Sequence, residues 1–197
     1  MTSNVFAIVL AAGSASRFGS TKQLAQLDGV SLVARAVKTA NDVVADRTVV
    51  VVGHDAGAVV RELHSTEGFV IVNDHYAEGL GTSLSRAVTA IRHVASAVVV
   101  LLADQPGVNS TDLQDLISAW NGDERQIVAT AFSGTQGPPV LFPAACFDDL
   151  QGLEGDAGGK HLFSDSRFQL TTIAFESAAL DVDTPADLTQ ISRNARS

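Results

Sequence analysis

Four stretches of the chain are almost entirely apolar and rich in β-branched residues. They are Val5–Leu10, Thr48–Gly53, Phe69–Asn73 and Ala97–Asp104. A strand that is apolar throughout, rather than at alternate positions, is typical of a parallel sheet covered on both faces. Segments with helical spacing separate these runs and would supply that cover. The chain is therefore predicted to form a three-layer α/β fold with a central, mostly parallel sheet.

The segments between and after these strands predict the remaining elements. Helices are expected over Ser31–Val44, Asp55–His64 and Thr82–Ala95, and another begins at an N-cap, Ser110 or Thr111. Later strands are expected at Gln126–Ser133, Pro139–Pro143 and Phe168–Phe175, before a last helix with Thr184 as N-cap and Pro185 first. No repeat or linker interrupts the 197 residues, so residues 1–197 are predicted to form a single domain.

Charge and cysteine content exclude several classes of function. The net charge is −9 with no basic stripe, which excludes a nucleic-acid groove and attraction to an anionic membrane. The single cysteine, Cys146, excludes an internal disulfide framework, and we expect it to be a small core residue. The first residues lack the basic region of an export signal, and no apolar run reaches the roughly 18 residues of a membrane span. These features predict a cytoplasmic protein.

A glycine-rich turn, "LAAGSASRFGSTK" (Leu10–Lys22), follows the first strand. Glycines let backbone N–H groups approach a phosphate closely. Gly13 and Gly19 are too far apart for a dinucleotide fingerprint or a P-loop, and Lys22 does not follow Gly19 directly. The turn nevertheless carries serines and two cations, Arg17 and Lys22, and therefore has the chemistry of a phosphate site.

This turn resembles the signature L-A-A-G-x-S-x-R-x-G-x-x-K of the nucleotidyltransferases, in particular the molybdenum cofactor cytidylyltransferases and their MobA-like relatives. Later segments recur in that family's order: "EGLGTSL", "LLADQP", "GPPVLF", "GDAGGKHL" and "DVDTPADL". The resemblance implies a three-layer, Rossmann-like nucleotidyltransferase fold with one antiparallel strand near its carboxyl end. It also implies transfer of CMP from CTP, with Mg²⁺, to a phosphorylated acceptor. That acceptor would be molybdopterin, destined for a molybdoenzyme.

The resemblance also implies roles for individual residues. Arg17, Lys22 and Asp104 would be catalytic, because positioning and charge neutralisation are the main needs of this chemistry. Asp104, at the carboxyl end of a strand, and either Asp181 or Asp183 would bind the metal. The nucleotide would contact Leu10, Ala11, Ala12, Gly13, Ser14, Arg17, Lys22, Gly79 and Ser83. The acceptor would contact Gly137, Pro139, Asp156 and Gly158.

Two positions bear on the choice of substrates. Guanylyltransferase relatives read L-A-G-G where this chain has alanine at position 12, and the extra methyl group favours a pyrimidine. The family's G-D-x-G-A-R appears here as "GDAGGK", so Lys160 replaces an arginine and its bidentate fork, which leaves the acceptor open.

Three alternatives remain beside cytidylyl transfer. The first is guanylyl transfer from GTP, which Ala12 disfavours. The second is an oxidoreductase on the same fold that uses NAD(P)H or a flavin, which the missing dinucleotide fingerprint disfavours. The third is a non-catalytic carrier of a nucleotide or cofactor, which the presence of Arg17, Lys22 and Asp104 disfavours.

Overall fold

A seven-stranded sheet forms the centre of the molecule in a computed structural model that describes residues 4–14, 18–63 and 68–194. The strands are β1 (Val5–Ala11), β2 (Gln26–Leu27), β3 (Val30–Ser31), β4 (Thr48–Val52), β5 (Phe69–Val72), β6 (Ala97–Leu102), β7 (Gln126–Phe132), β8 (Thr135–Pro143) and β9 (Gln169–Ala174). The main sheet has the order β5-β4-β1-β6-β8-β7-β9, and β2 and β3 form a separate small hairpin.

Strand β8 is the one reversed strand of the main sheet. It pairs antiparallel with both β6 and β7, whereas the other neighbouring pairs are parallel. Strands β7 and β8 are joined by Ser133 and Gly134, whose φ angles of 47° and 75° suit a tight hairpin turn. The mostly parallel sheet and its late antiparallel strand are therefore as predicted. The reversal brings the start of β8 to the edge where the parallel strands end.

Helices cover the two faces of the sheet and give the three predicted layers. They are α1 (Leu32–Val44), α2 (Ala56–Glu62), α3 (Leu80–Ile91), α4 (Ser110–Ala119), α5 (Phe147–Gln151) and α6 (Pro185–Asn194). One buried apolar cluster joins α1, α2 and α4 to the sheet, and a second joins α3 and α5 to the opposite face. Along β1, Val9 and Ala11 belong to the first cluster and Leu10 to the second, because side chains alternate across a strand.

Three local expectations are corrected. Strand β5 is not covered on both faces: it is the edge strand, and Phe69 is 64% exposed. Helix α4 is capped by Asn109 instead of Ser110 or Thr111, because Asn109 and Asp112 form a reciprocal capping box. Helix α3 begins at Leu80, two residues before the expected start, and ends at Ile91. Within the described ranges, no helix is long and apolar enough to cross a membrane.

Candidate active site

A cavity of about 340 Å³ opens at the carboxyl ends of β1 and β6. This is the edge of an open parallel sheet at which ligands generally bind. Residues that follow β1 form one wall, and Ala103 and Asp104, which follow β6, form another. The remaining walls come from the short 3₁₀ turn at Lys22, from the segment that leads into α3, and from Asp156.

Lys22 and Asp104 form an ion pair in this cavity. The Lys22 Nζ donates to Asp104 Oδ2 at 2.7 Å and to Asp183 Oδ1 at 3.2 Å. The Lys22 side chain is 13% exposed, so its charge is partly shielded from water. The backbone N–H of Val182 donates to the Asp104 carbonyl at 3.0 Å, which fastens the "DVD" segment beside β6. The structure therefore brings together a cation and carboxylates that lie far apart in sequence.

The charges in this group shift two pKa values. Burial by itself lowers the pKa of Lys22, but the charge and hydrogen bond of Asp104, followed by those of Asp183, raise it overall. Burial, and then the charges of Asp104 and Asp183, raises the pKa of Asp181 to about 6. Lys22 and the Gln105 amide oppose that second shift. The site thus holds more negative charge than its one described cation neutralises.

The three aspartates do not form a ready-made metal cage. Among the residues that the structure describes, no group of three or more His, Cys, Asp or Glu side chains can hold a metal ion. The physical reason is that the Lys22 ammonium bridges Asp104 and Asp183. However, Asp104 Oδ1 is buried and has no hydrogen-bond partner in the described chain. One or two carboxylates are enough for Mg²⁺ when phosphate oxygens of a substrate complete its coordination. These residues therefore fit a metal ion that is bound together with a nucleotide, but not one that is bound by the protein alone.

Most of the predicted nucleotide-binding residues lie around the cavity. Those that line it are Leu10, Ala12, Gly13, Ser14, Lys22, Gly79 and Ser83. Ala11 does not, because its side chain belongs to the apolar cluster on the opposite face of the sheet. Arg17 lies outside the described residues.

The predicted acceptor residues are divided. Asp156 lines the cavity, whereas Gly137, Pro139 and Gly158 are not part of its lining. Gly137 and Pro139 lie on β8, and a side-chain Cβ at Gly137 would approach the Lys160 Cε at 3.6 Å. Lys160 therefore lies beside the first half of the reversed strand, close to two of the predicted acceptor residues.

Two buried glutamines near the site, Gln23 and Gln105, were given no role by the sequence motifs. Gln23 is 5% exposed and donates from Nε2 to the Gly13 carbonyl at 2.7 Å, which braces the start of the glycine-rich turn. Gln105 donates to the carbonyls of Ala178 at 2.9 Å and Pro138 at 3.3 Å. Buried glutamines give no periodic signal, and their position directly after Lys22 and Asp104 was the available clue.

Cys146 is a core residue, as expected. It is fully buried, and burial, followed by the charge of Asp149, raises the pKa of its thiol to about 12. A thiol that stays protonated at neutral pH does not act as a nucleophile.

We expect Asp181→Asn to raise the Tm at pH 7.5 and to leave it nearly unchanged at pH 4.5. The folded state binds the Asp181 proton more tightly than the unfolded state does, since the folded pKa is about 6. Stability is therefore lost as pH rises from about 4 to 6, and the amide removes that loss. Asp181 is only partly shielded from solvent, so water screens its charge and the gain is at most about 1 kcal/mol, or 2–4 °C. Thermal melts at both pH values measure it.

Asp187→Asn is the matched control and has the opposite sign. Backbone N–H groups of Thr184 and then Asp183 lower the pKa of Asp187, so its carboxylate stabilises the fold at neutral pH. We expect this variant to melt earlier at pH 7.5, with a smaller effect at low pH. An Asp181→Asn variant that is destabilised at pH 7.5 would contradict the electrostatic description of the site.

Two known bacterial proteins are similar to this chain in sequence over nearly its whole length. The chain is 27% identical over 197 aligned positions to the purine catabolism protein PucB of Bacillus subtilis (strain 168), covering 94% of this chain and 95% of PucB. It is 29% identical over 191 positions to nicotine blue oxidoreductase of Paenarthrobacter nicotinovorans, covering 91% and 92%. The similarity extends over nearly the whole length of both relatives.

Solved structures share the fold. A mycobacterial homologue of Rv0371c, from strain JC1, has a TM-score of 0.82 at 29% identity, covering 100% of this chain and 98% of that one. Rv0371c of Mycobacterium tuberculosis itself, in complex with manganese, has a TM-score of 0.79 at 25% identity, covering 97% and 99%. A nucleotidyl transferase from Methanothermobacter reaches 0.83 at 24% identity, covering 96% of each chain.

The model of one protein family matches most of the chain. The match runs from residue 7 to residue 171 and therefore includes most of β1, the glycine-rich turn and Asp104. The chain belongs to the family of the MobA-like NTP transferase domain, a family of nucleotidyltransferases.

Proposed function

We propose that the protein transfers CMP from CTP, with Mg²⁺ as the metal ion, to a phosphate group of a small acceptor, with molybdopterin as that acceptor. The observation that carries the proposal is the ion pair between Lys22 and Asp104 in a cavity at the carboxyl ends of β1 and β6. Family membership supports nucleotidyl transfer as the reaction class. The choice of CTP and of the acceptor rests on individual residues.

The proposed reaction is a phosphoryl substitution without redox chemistry. A phosphate oxygen of the acceptor attacks the α-phosphorus of the nucleotide and forms a new P–O bond. The bond between the α-phosphorus and the bridging oxygen to the β-phosphorus breaks, and pyrophosphate leaves with that electron pair. The protein has to hold the attacking and leaving oxygens in line and to stabilise the negative charge that develops.

The chain can supply both functions. Gly13 and Ser14 line the cavity directly after β1, where backbone N–H groups can approach the phosphates. In the proposed complex Lys22 moves its ammonium from the carboxylates to the triphosphate and to the departing pyrophosphate. The raised pKa of Lys22 keeps it charged at neutral pH. Arg17, outside the described residues, is proposed as a second cation for the phosphates.

The metal would be held by Asp104 together with Asp181 or Asp183. The Asp104 Oδ1, for which the described part of the chain supplies no hydrogen-bond partner, is the oxygen proposed to bind it. When bound, a divalent cation polarises the phosphate oxygens and neutralises part of their charge. Through that ion, the carboxylates would place the triphosphate at the end of the cavity that lies next to β6.

The base is assigned to the apolar wall of the cavity. Leu10 and Ala12 point to the same face of the sheet and belong to the same apolar cluster. The Ala12 side chain is 5% exposed, so its methyl group fills space that a glycine would leave for a larger purine. This supports CTP over GTP as the donor.

The acceptor is assigned to the side of the cavity that Asp156 lines, next to the start of β8. Lys160 near Gly137 offers one cation to an acceptor phosphate. A pterin that carries a terminal phosphate fits a site with one lysine and one carboxylate, and the nucleotide product would then pass to a molybdoenzyme.

An oxidoreductase is the second candidate. The observation that favours it is the similarity to nicotine blue oxidoreductase over 91% of the chain. Under this alternative the cavity would bind NAD(P)H or a flavin, and the carboxylate–lysine group would lose its role in phosphate chemistry.

Thermal stabilisation by each nucleotide separates these candidates. We expect CTP with Mg²⁺ to raise the Tm most, and a ligand at about 100 times its Kd adds roughly 2.7 kcal/mol. Pyrophosphate release on addition of a phosphorylated pterin would then support the transfer. Selectivity for GTP would point to guanylyl transfer. Pterin binding without pyrophosphate release would favour a carrier, and a shift with NAD(P)H or flavin alone would overturn the transferase proposal.

A further inference from the structure

A buried asparagine lies directly behind the cavity. Asn73 follows the last residue of β5 and is 0% exposed. Its Nδ2 donates to the hydroxyl of Thr82 at 2.9 Å and to the hydroxyl of Ser83 at 2.9 Å. Both hydroxyls belong to the first turn of α3, but only Ser83 is part of the cavity wall.

The partners of the Asn73 amide determine which way it faces. Its Oδ1 accepts from the backbone N–H of His75 at 3.0 Å and from Arg86 Nη1 at 3.3 Å. Neither of those groups can accept a hydrogen bond, so the oxygen has to face them. The two amide hydrogens are therefore left for Thr82 and Ser83.

This arrangement sets the polarity of each hydroxyl. The Thr82 hydroxyl accepts from Asn73 and donates to the Gly79 carbonyl at 2.9 Å. The Ser83 oxygen also accepts from Asn73, but its hydrogen has no acceptor in the described part of the chain. A hydroxyl whose oxygen is engaged in this way has one hydrogen left to donate, and Ser83 has the cavity in front of it.

We propose that Asn73 is a positioning residue that makes the Ser83 hydroxyl a hydrogen-bond donor to the base of the bound nucleotide. The recognised atom is an acceptor on the base, either a ring nitrogen or a carbonyl oxygen. This inference rests on the proposed function. The base is favoured over the phosphates because helix α3 packs in the same apolar cluster as Leu10 and Ala12, whereas Lys22 and Asp104 mark the phosphate end.

The variant Asn73→Asp tests the polarity with almost no change in shape. A carboxylate cannot donate, so Ser83 and Thr82 would both donate to it, and Ser83 would present a lone pair to the base. An acceptor facing an acceptor costs more than a missing hydrogen bond. We expect the Kd of CTP with Mg²⁺ to rise at least tenfold. Inorganic tripolyphosphate, which has no base, is expected to bind within twofold of the unaltered protein.

Ser83→Ala and Thr82→Ala complete the experiment. Ser83→Ala removes the donor itself and should raise the Kd of CTP about fivefold, again without an effect on the Kd of tripolyphosphate. In the Ser83→Ala background, Asn73→Asp should cause little further change, because the hydroxyl that it reorients is gone. Thr82→Ala is the matched control: it removes the other hydroxyl that Asn73 holds, and the ratio of CTP to tripolyphosphate affinity should stay within twofold.

The outcomes separate this inference from the proposed function. Equal weakening of CTP and tripolyphosphate by Ser83→Ala, or independent effects of the two substitutions, would overturn the role of Asn73 while nucleotide binding stands. If Asn73→Asp does not fold, Asn73→Ala, which removes the amide, is compared with Ser83→Ala for CTP and tripolyphosphate, and an Asn73→Ala protein with unchanged CTP affinity would overturn the role of Asn73. If the unaltered protein binds none of CTP, UTP, GTP and ATP, the proposed function fails and this inference fails with it.

Discussion

Replacing Asp104 by asparagine is expected to lower kcat/KM for nucleotidyl transfer about a thousandfold. Asp104 pairs with Lys22 at 2.7 Å, and its buried Oδ1, which has no partner among the described residues, is left for the proposed metal ion. The amide has no charge to attract that ion and holds the lysine more weakly. A loss of about 4 kcal/mol of transition-state stabilisation corresponds to three factors of ten. Steady-state release of pyrophosphate measures the effect, with a thermal melt to confirm that the variant is folded.

Asp55→Asn is the matched control for this result. Asp55 lies at the same edge of the sheet, after β4, and its Oδ2 accepts from the Thr21 hydroxyl at 2.8 Å. It does not line the cavity, so we expect kcat/KM to change by no more than about threefold. Similar losses in the two variants would mean that the total negative charge at this edge of the sheet matters and that Asp104 has no specific role.

Replacing Gly79 by alanine is expected to cost about 3 kcal/mol of unfolding free energy and to abolish detectable nucleotide binding. The φ of Gly79 is +118°, a conformation that residues with a side chain rarely adopt. A Cβ there would also overlap the backbone carbonyl of Gly155, and Gly81 is tied to that same carbonyl by a 2.8 Å hydrogen bond. The first turn of α3 and the "GDAGGK" segment would have to separate, which opens the cavity.

Gly57→Ala provides a comparison of opposite sign. Gly57 lies in α2, and a Cβ there would meet only the flexible end of Arg61 at 3.6 Å. The substitution should therefore stabilise the protein by about 0.5–1 kcal/mol. Chemical denaturation of both variants, with CTP titrations, measures the two effects. A Gly79→Ala protein with unchanged stability and affinity would contradict the close contact between the two segments.

The sequence predicted the sheet because its strands are buried. Strands β1, β4 and β6 lie in the middle of the sheet, and continuous apolar runs are the direct consequence of helices on both faces. Strand β5 has the same composition but lies at the edge, where Phe69 is exposed. Strand order is set by long-range pairing, so an edge strand cannot be recognised from its own residues.

The candidate site could be predicted where a charged residue follows the end of a recognisable strand or turn. Lys22 and Asp104 each follow a recognisable element, and the structure joins them. The Ala11 side chain lies on the other face of the sheet from the cavity, because side chains alternate along a strand, which a contiguous motif does not show. The assignment of Asp104 with Asp181 or Asp183 to a metal ion stays a prediction. The spacing of the aspartates along the chain did not show that the Lys22 ammonium bridges Asp104 and Asp183.

The reversed strand β8 divides the sheet into two parts that come from different regions of the chain and are connected in different ways. Strands β1, β4, β5 and β6 come from the first 102 residues and are joined through helices, whereas β7 and β8 form a hairpin that attaches to β6 through β8 alone. Mutations in that hairpin and in the segment after α5 would alter the proposed acceptor side while β1 and its turn stay intact. If the proposed assignment holds, such a division would let the acceptor change while the proposed nucleotide site is kept. The differing names of two relatives, the purine catabolism protein PucB and nicotine blue oxidoreductase, each similar over nearly its whole length, are consistent with one fold serving different substrates.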